Sequence, residues 1–102
     1  MAMGVSEPLI QSSLLGEAAE HAPFAILVSD EDGRYVAVNQ AACTLLGYTR
    51  EELLACGRDD VDQTGGASLT CKDGSTVMVT CVEGQATVAG MPVTVSVSTA
   101  AN

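Results

Sequence analysis

The chain has 102 residues, of which 47% are hydrophobic, and it carries a formal net charge of −9. The length predicts one domain, and the apolar content is enough for a packed core, which excludes an intrinsically disordered chain. Acidic residues outnumber basic ones by 13 to 4, so nucleic acid and anionic membrane surfaces are not expected partners. No apolar run approaches the roughly 20 residues that cross a bilayer, and no secretory signal pattern opens the chain, so we expect a cytoplasmic protein.

An amphipathic helix is predicted at the start of the chain. Ser6 can cap it, Pro8 suits its first turn, and Pro23 ends it. Apolar residues recur every three or four positions, which places them along one stripe. We assign residues 1–22 to this helix and residues 23–100 to the domain that follows. The stripe residues considered further are Leu9, Ile10, Leu14, Leu15 and Ala18.

A β-hairpin is predicted next, with "FAILVS" and "RYVAVN" as its strands and "DEDG" as its turn. Residues 24–28 are apolar without a break, so we expect both faces of the first strand to be covered. The acids of the turn lack the spacing of a calcium-binding loop, so we interpret them as solvated turn residues.

Two short helices follow the hairpin. Asn39 can cap the first, residues 40–46, and Gly47 suits the left-handed position just after it. Thr49 and Glu52 have the spacing of a capping box for the second, "REELLA". Neither helix is long enough to be stable alone, so both must lie on a larger surface.

The remaining chain is predicted to be a loop and three strands. Residues 56–67 are polar, with at most one helical turn near residues 59–62. Their acids Asp59, Asp60 and Asp62 suggest a hard-cation site, but no further ligand converges and solvated acids are the favoured interpretation. The strands are "SLTC", "TVMVTCVEGQATV" with a bulge near Gly84, and "PVTVSVST", whose valines alternate with Ser and Thr as in a half-buried strand. Strands at both ends with helices between them favour an α+β fold with an antiparallel sheet.

The four cysteines are not spaced as metal ligands. No C-x-x-C pair is present and His21 is the only histidine, so no metal is expected. Cys43 and Cys81 lie among apolar neighbours and are interpreted as core residues, whereas Cys56 and Cys71 lie nearer loops. We expect all four to be reduced thiols.

Taken together, residues 22–54 and 68–98 resemble the PAS sensory domain. The resemblance implies a five-stranded antiparallel sheet with short helices packed on one face and a cavity between helices and sheet. It also implies a sensor or dimerisation module within a longer signalling protein, joined to an effector such as a kinase or a transcription regulator. The motifs that carry it are Asp32-Gly33, Asn39, Ala42, Leu46-Gly47-Tyr48, Glu51-Glu52-Leu53 and Lys72-Asp73-Gly74.

The sequence departs from the family pattern in two places. Members usually carry a longer helix before the third strand, but only the polar residues 56–67 are available here, so we expect a small, open or collapsed cavity. The last strand of many members ends in an acidic residue that leads into an effector helix, whereas this chain ends "SVSTAAN". The signal would then leave through the N-terminal helix, or the effector lies outside this segment.

No cofactor and no catalytic activity are expected. The flavin branch of the family uses an Asn-Cys-Arg-type motif, but Cys43 lies between Ala42 and Thr44. The haem branch uses a histidine on the long helix that is shortened here. His21 has no local nucleophile partner, and no phosphate-binding glycine loop is present, so an enzyme is not predicted.

Two functional hypotheses are favoured over a third, an enzyme or metal protein that uses the cysteines or Asp59, Asp60 and Asp62. The first is a sensory module that binds a small apolar or amphipathic ligand between sheet and helices. The second is a ligand-free homodimerisation or relay module, in which the N-terminal stripe pairs with a second copy or covers the sheet. The candidate ligand-binding residues of the first hypothesis, each of which also fits an ordinary core position, are Ile26, Val28, Val38, Ala42, Leu45, Leu46, Leu53, Val77, Val79 and Val95.

Overall fold

The computed structural model describes residues 16–62 and 68–100. Residues 16–20 are helical and are named α1. The predicted stripe residues Leu9, Ile10, Leu14 and Leu15 lie outside the described residues, and Ala18 lies exposed on α1. The other elements are β1 (Ala25–Ser29), β2 (Tyr35–Val38), α2 (Gln40–Leu46), α3 (Arg50–Leu54), α4 (Arg58–Val61), β3 (Ser68–Thr70), β4 (Thr76–Val88) and β5 (Met91–Ala100).

The five strands form one sheet in the order β2-β1-β5-β4-β3, and all neighbouring strands are antiparallel. The last strand of the chain, β5, therefore lies at the centre of the sheet. The short helices pack on one face, with α2 against β1, α3 against β2 and α4 near β3. The predicted α+β fold with a five-stranded antiparallel sheet is confirmed.

The helix ends are capped as the sequence predicts. The Oδ1 atom of Asn39 accepts a hydrogen bond from the N–H of Ala42, and Gly47 ends α2 in the left-handed conformation with a φ of 78°. Thr49 and Glu52 form the predicted capping box of α3. The loop after α3 contains one helical turn, α4, as expected.

Gly57, just before α4, brings the loop against the β1–β2 turn. The N–H of Arg58 donates to the carbonyl oxygen of Gly33 at 2.7 Å, and the N–H of Tyr35 donates to that of Cys56 at 3.2 Å. A Cβ atom on Gly57 would lie 3.0 Å from the Gly33 oxygen, so only glycine allows this approach without a shift.

The first strand differs from its prediction, because its two faces are not equally covered. Burial alternates along β1, with Ala25 and Leu27 buried towards the helices and Ile26 and Val28 half-buried on the other side. We call this second side, away from α2 and α3, the outer face of the sheet. The unbroken apolar run reflects a strand that is buried on one face and half-covered on the other.

The last strand presents its serines, not its valines, to the helices. Ser96 pairs with Leu27 and Ser98 pairs with Ala25, and directly opposed residues share a face of the sheet. Val95 therefore lies on the outer face, and its predicted position between sheet and helices is wrong. Alternation identified the strand correctly but did not identify which of its faces is internal, because an alternating pattern fits either orientation of the strand.

The predicted bulge at Gly84 is also wrong. The ladder between β4 and β5 runs without a shift from Val79 to Val88. The register shift of the sheet occurs instead in β1, between Val28 and Ser29, where it faces β2. An added Cβ atom on Gly84 would meet nothing within 4 Å.

Candidate functional site

The predicted ligand-binding residues do not surround one cavity. Five of them are buried between the sheet and the helices, and Leu45 and Val77 pack at the margin of that core. Ile26, Val28 and Val95 lie on the outer face. The five buried members are Val38, Ala42, Leu46, Leu53 and Val79.

Within the described residues, four side chains between the helices and the sheet have no open space beside them. Ala42, Leu46, Leu53 and Val61 each have a relative exposure of 0%. A side chain with no accessible surface borders no space that a water molecule could occupy. At these four positions the interior is therefore close-packed. A collapsed cavity is one of the outcomes expected from the short segment 56–67.

Two open grooves run along the sides of α2, and Leu45 borders both. The first, of about 460 Å³, lies between α2, the segment of residues 20–25 and the end of β5; we call it the His21 groove. The second, of about 660 Å³, lies between α2 and the β3–β4 turn; we call it the Lys72 groove. Both volumes fall in the range of roughly 300–1,000 Å³ that small-molecule sites occupy.

Asn39 joins three elements through its side chain. Its Oδ1 atom accepts from the N–H of Ile26 at 2.9 Å in β1, as well as from α2. Its Nδ2 atom donates to the carbonyl oxygens of Ala19 at 2.7 Å and Phe24 at 2.9 Å. The residue is 4% exposed, so these bonds form in a dry environment where an unpaired partner would be costly. The end of α1 is thereby fixed to the start of α2.

Arg50 forms a second connection to α1. Its guanidinium donates to both carboxylate oxygens of Glu20, at 2.6 and 2.5 Å, and its Nε atom donates to the carbonyl oxygen of Val38 at 3.4 Å. The hydrogen bond and the charge of Glu20 raise the pKa of Arg50. The helix that precedes the domain is therefore attached to both α2 and α3.

Lys72 connects the helices to the β3–β4 turn. Its N–H donates to the carbonyl oxygen of Leu46 at 2.9 Å, and its Nζ atom lies 2.6 Å from Oε2 of Glu52. The pKa of Glu52 is lowered by the Lys72 hydrogen bond and by the backbone N–H of Thr49. The Glu52 carboxylate therefore takes part both in the capping box of α3 and in the contact with the β3–β4 turn.

A polar cluster attaches α4 to the inner side of the sheet. Arg58 pairs with Asp62 at 3.1 Å and with Glu83 of β4, and the Glu83 carboxylate also accepts from the hydroxyl of Ser96 at 3.1 Å. Burial opposes the charge of Arg58, but the two carboxylates outweigh it and raise its pKa. Burial and the nearby charge of Asp62 raise the pKa of Tyr35 far above its usual range.

Sequence reasoning missed this cluster. The sequence predicts Asp62 to be a solvated loop acid, with a hard-cation site as the less favoured alternative, and no pattern singles out Glu83. The available signal was that Arg58 is one of four basic residues and lies in an acidic loop. Its partner on β4 is 25 residues away, a separation that no local motif covers.

The cysteines are free thiols, and Cys43 is buried. Burial raises the pKa of Cys43 and of Cys56, which keeps both protonated near neutral pH and disfavours reaction with oxidants. Among residues 16–62 and 68–100, no group of three potential metal-ligating side chains converges. In the same described ranges, none of the helices has the length and apolar character needed to cross a bilayer.

The outer face of the sheet is rich in exposed apolar side chains. Met78 is 58% exposed, Val82 70%, Val88 56% and Met91 45%. The residues of α1 border Ile26 and Val28 at the opposite end of this face. Exposed apolar side chains concentrated on one side of a protein are typical of a contact surface.

Comparison with known proteins supports one family. Residues 13–78 match the family model described as the PAS domain. The structure is similar to the PAS domain of an HTR-like protein from Haloarcula marismortui, with a TM-score of 0.78, 22% identity and coverage of 99% of this chain and 100% of that chain. No match is found among curated proteins.

Two other solved structures agree. A PAS domain from a two-component sensor histidine kinase has a TM-score of 0.80 at 14% identity, covering 92% of this chain and 99% of that one. The PAS domain of nitrogen regulation protein NR(II) from Vibrio parahaemolyticus has a TM-score of 0.74 at 13% identity, covering 86% and 98%. At these identities the likeness concerns the fold. Because the family match spans more than half of the sequence and solved PAS domains share the fold, the chain belongs to the PAS domain family.

Proposed function

We propose that this chain is a regulatory module of a signal-transduction protein that relays a signal by protein contact, without a ligand inside its core. The observation that carries the proposal is the close packing between sheet and helices, where Ala42, Leu46, Leu53 and Val61 have no accessible surface. A cavity-based sensor needs space at these positions for its ligand. The module would instead respond to movements of the segments attached to it.

The attached segment is the N-terminal helix. Asn39 and Arg50 bind Ala19 and Glu20 at its C-terminal end, so a displacement of that helix acts on α2 and α3 directly. We propose that residues 1–22 form the relay helix and that residues 23–100 form the domain. Its stripe of Leu9, Ile10, Leu14, Leu15 and Ala18 would pair with a second copy and produce a homodimer.

The output would belong to an effector domain, such as a kinase or a transcription regulator, in the same protein. Support comes from similar PAS domains that occur in a sensor histidine kinase and in a nitrogen regulation protein. We propose a cytoplasmic, non-catalytic role, consistent with four free cysteines and with a match to a sensory family.

Sedimentation velocity of the full chain over a range of concentrations tests the relay proposal. The wild type is expected to dimerise, and Leu14→Glu is expected to weaken the dimer at least tenfold, because it buries a charge in the stripe. Ser12→Glu adds the same charge on the opposite side of the predicted helix and should leave the dimer unchanged. Equal dimerisation by all three proteins would contradict a role for the stripe.

A ligand-binding role is the second candidate, and the grooves beside α2 favour it. Leu45 borders both grooves, so it is the one predicted ligand-binding residue with access to open space on two sides. Organic extraction of the purified protein and a thermal-shift screen against metabolites test this role. A ligand in either groove should lose its thermal shift in Leu45→Trp, whereas no extracted compound and no shift would remove this candidate.

A further inference from the structure

The β4–β5 hairpin extends well beyond the body of the sheet. On one side β4 pairs with β3 only through Thr76–Met78, and on the other β5 pairs with β1 no further than Thr94. The two strands continue to pair with each other as far as Val88 and Met91. We call residues 84–93 the β-ribbon. Most of it is exposed, although Val93 is buried.

One edge of this ribbon has no partner strand among the described residues. Every second residue of an antiparallel strand points its N–H and C=O away from its neighbour, and along residues 84–88 of β4 those groups point away from the sheet. Two-stranded ribbons are only marginally stable in water. Natural edge strands are usually protected by lysine, proline or a bulge, but residues 84–88 read "GQATV" and the ladder there is regular.

The ribbon belongs to the longest uncharged stretch of an acidic chain. Residues 85–102 contain no Asp, Glu, Lys or Arg, although the whole chain carries a net charge of −9. The last charged residue before this stretch, Glu83, is paired with Arg58. Two copies of this chain carry a large net charge of the same sign and would repel each other, but the ribbon contributes no charge to that repulsion. Charge therefore favours a second copy as the occupant of this edge.

We propose that residues 84–88 of β4 pair antiparallel with the same residues of a second copy, so that two sheets join edge to edge. A two-fold axis near Ala86 makes this contact self-complementary, with the same residues contributed by both copies. In this register the exposed side chain of Val88 lies opposite Gly84 of the second copy on the shared outer face. This inference rests on the proposed relay function and adds a contact between the two copies at the ribbon, separate from the one proposed for the stripe.

Ala86→Glu is the variant that tests the pairing. Ala86 is exposed and pairs with Val93 within its own hairpin, so the substitution leaves the fold intact, while two glutamates near the two-fold axis repel each other. Sedimentation velocity should show dimerisation weakened at least tenfold. Val36→Glu places the same charge at an exposed position on β2, at the other edge of the sheet from β4, and Ala86→Val preserves the strand. Both variants should dimerise as the wild type does.

Hydrogen exchange of the full chain provides a readout that a dimer formed elsewhere would not change. The outward-pointing amides of residues 84–88 should be protected at high protein concentration and exchange rapidly on dilution. Protection that does not depend on concentration would overturn the pairing and identify a segment of the same chain as the occupant of the edge.

The two variants separate this inference from the relay proposal. A dimer lost in Ala86→Glu but kept in Leu14→Glu supports the ribbon contact and removes the stripe from the interface. The reverse result overturns the ribbon contact and leaves the relay proposal standing. A wild type that is monomeric at every concentration overturns both contacts.

Discussion

The side-chain amide of Asn39 donates a hydrogen bond of 2.7 Å to the carbonyl oxygen of Ala19, 20 residues earlier in the chain. The same side chain accepts from β1 and caps α2, so three elements meet at one buried residue. We therefore consider Asn39 the mechanical connection between the preceding helix and the domain.

Asn39→Ala is expected to lower the free energy of unfolding by roughly 2–4 kcal/mol, because it removes a helix cap and leaves buried backbone groups unpaired. Asn39→Asp keeps the acceptor for Ile26 and Ala42 but removes the donor for Ala19 and Phe24. It should release the end of α1 while α2 stays capped, which limited proteolysis near His21 would detect. Equal urea midpoints for wild type and Asn39→Ala would contradict this role.

Gly47 should be sensitive to substitution because of its backbone conformation and not because of its surroundings. Its φ is 78°, and an added Cβ would meet only the Lys72 Cβ, at 4.0 Å. Gly47→Ala should cost about 1–2 kcal/mol in urea unfolding, and Gly47→Asn less. Gly84→Ala is the matched control, since Gly84 has open space and no left-handed φ; it should be neutral or slightly stabilising.

The contact between Glu52 and Lys72 should make stability depend on acidic pH. The folded state lowers the pKa of Glu52 below its ordinary value near 4.5. The ionised carboxylate therefore stabilises the fold fully above that value, and the stabilisation is lost as the pH falls through the lowered pKa. Thermal unfolding should show Glu52→Gln melting below wild type at neutral pH, with the difference vanishing in strongly acidic solution. A difference that does not change with pH would contradict the assignment.

The packed interior predicts a large cost for truncating Leu46. The residue has 0% exposure, so Leu46→Ala should lower the free energy of unfolding by about 2–5 kcal/mol through lost burial and a new cavity. Val82→Ala, at a position with 70% exposure on the outer face, should change it by less than about 0.5 kcal/mol. A small cost at Leu46 would indicate space near this side chain and would favour the ligand-binding candidate.

Much of the fold follows from local signals in the sequence. The caps at Asn39 and Thr49 and the glycine at position 47 each specify a backbone conformation within a few residues, and all three are found as predicted. Turn residues and apolar runs are also local signals, and they predict where the strands lie.

The arrangement of side chains across the sheet could not be predicted in this way. Whether Val95 or Ser96 faces the helices depends on pairing with β1, which lies nearly 70 residues earlier in sequence, and alternation alone fits either orientation. The pairing of Arg58 with Glu83 likewise depends on tertiary structure. Because strand pairing decides which side chains face the helices, the candidate ligand-binding residues lie partly in the core and partly on the outer face of the sheet.

The buried serines of β5 have a thermodynamic consequence. Hydroxyl groups at Ser96 and Ser98 replace hydrocarbon at the centre of the sheet's inner side, so separating the helices from the strands there exposes little apolar surface to water. The increase in heat capacity that accompanies such a separation is correspondingly small. Cooling therefore weakens the attachment of this layer less than it would weaken a layer held by valines.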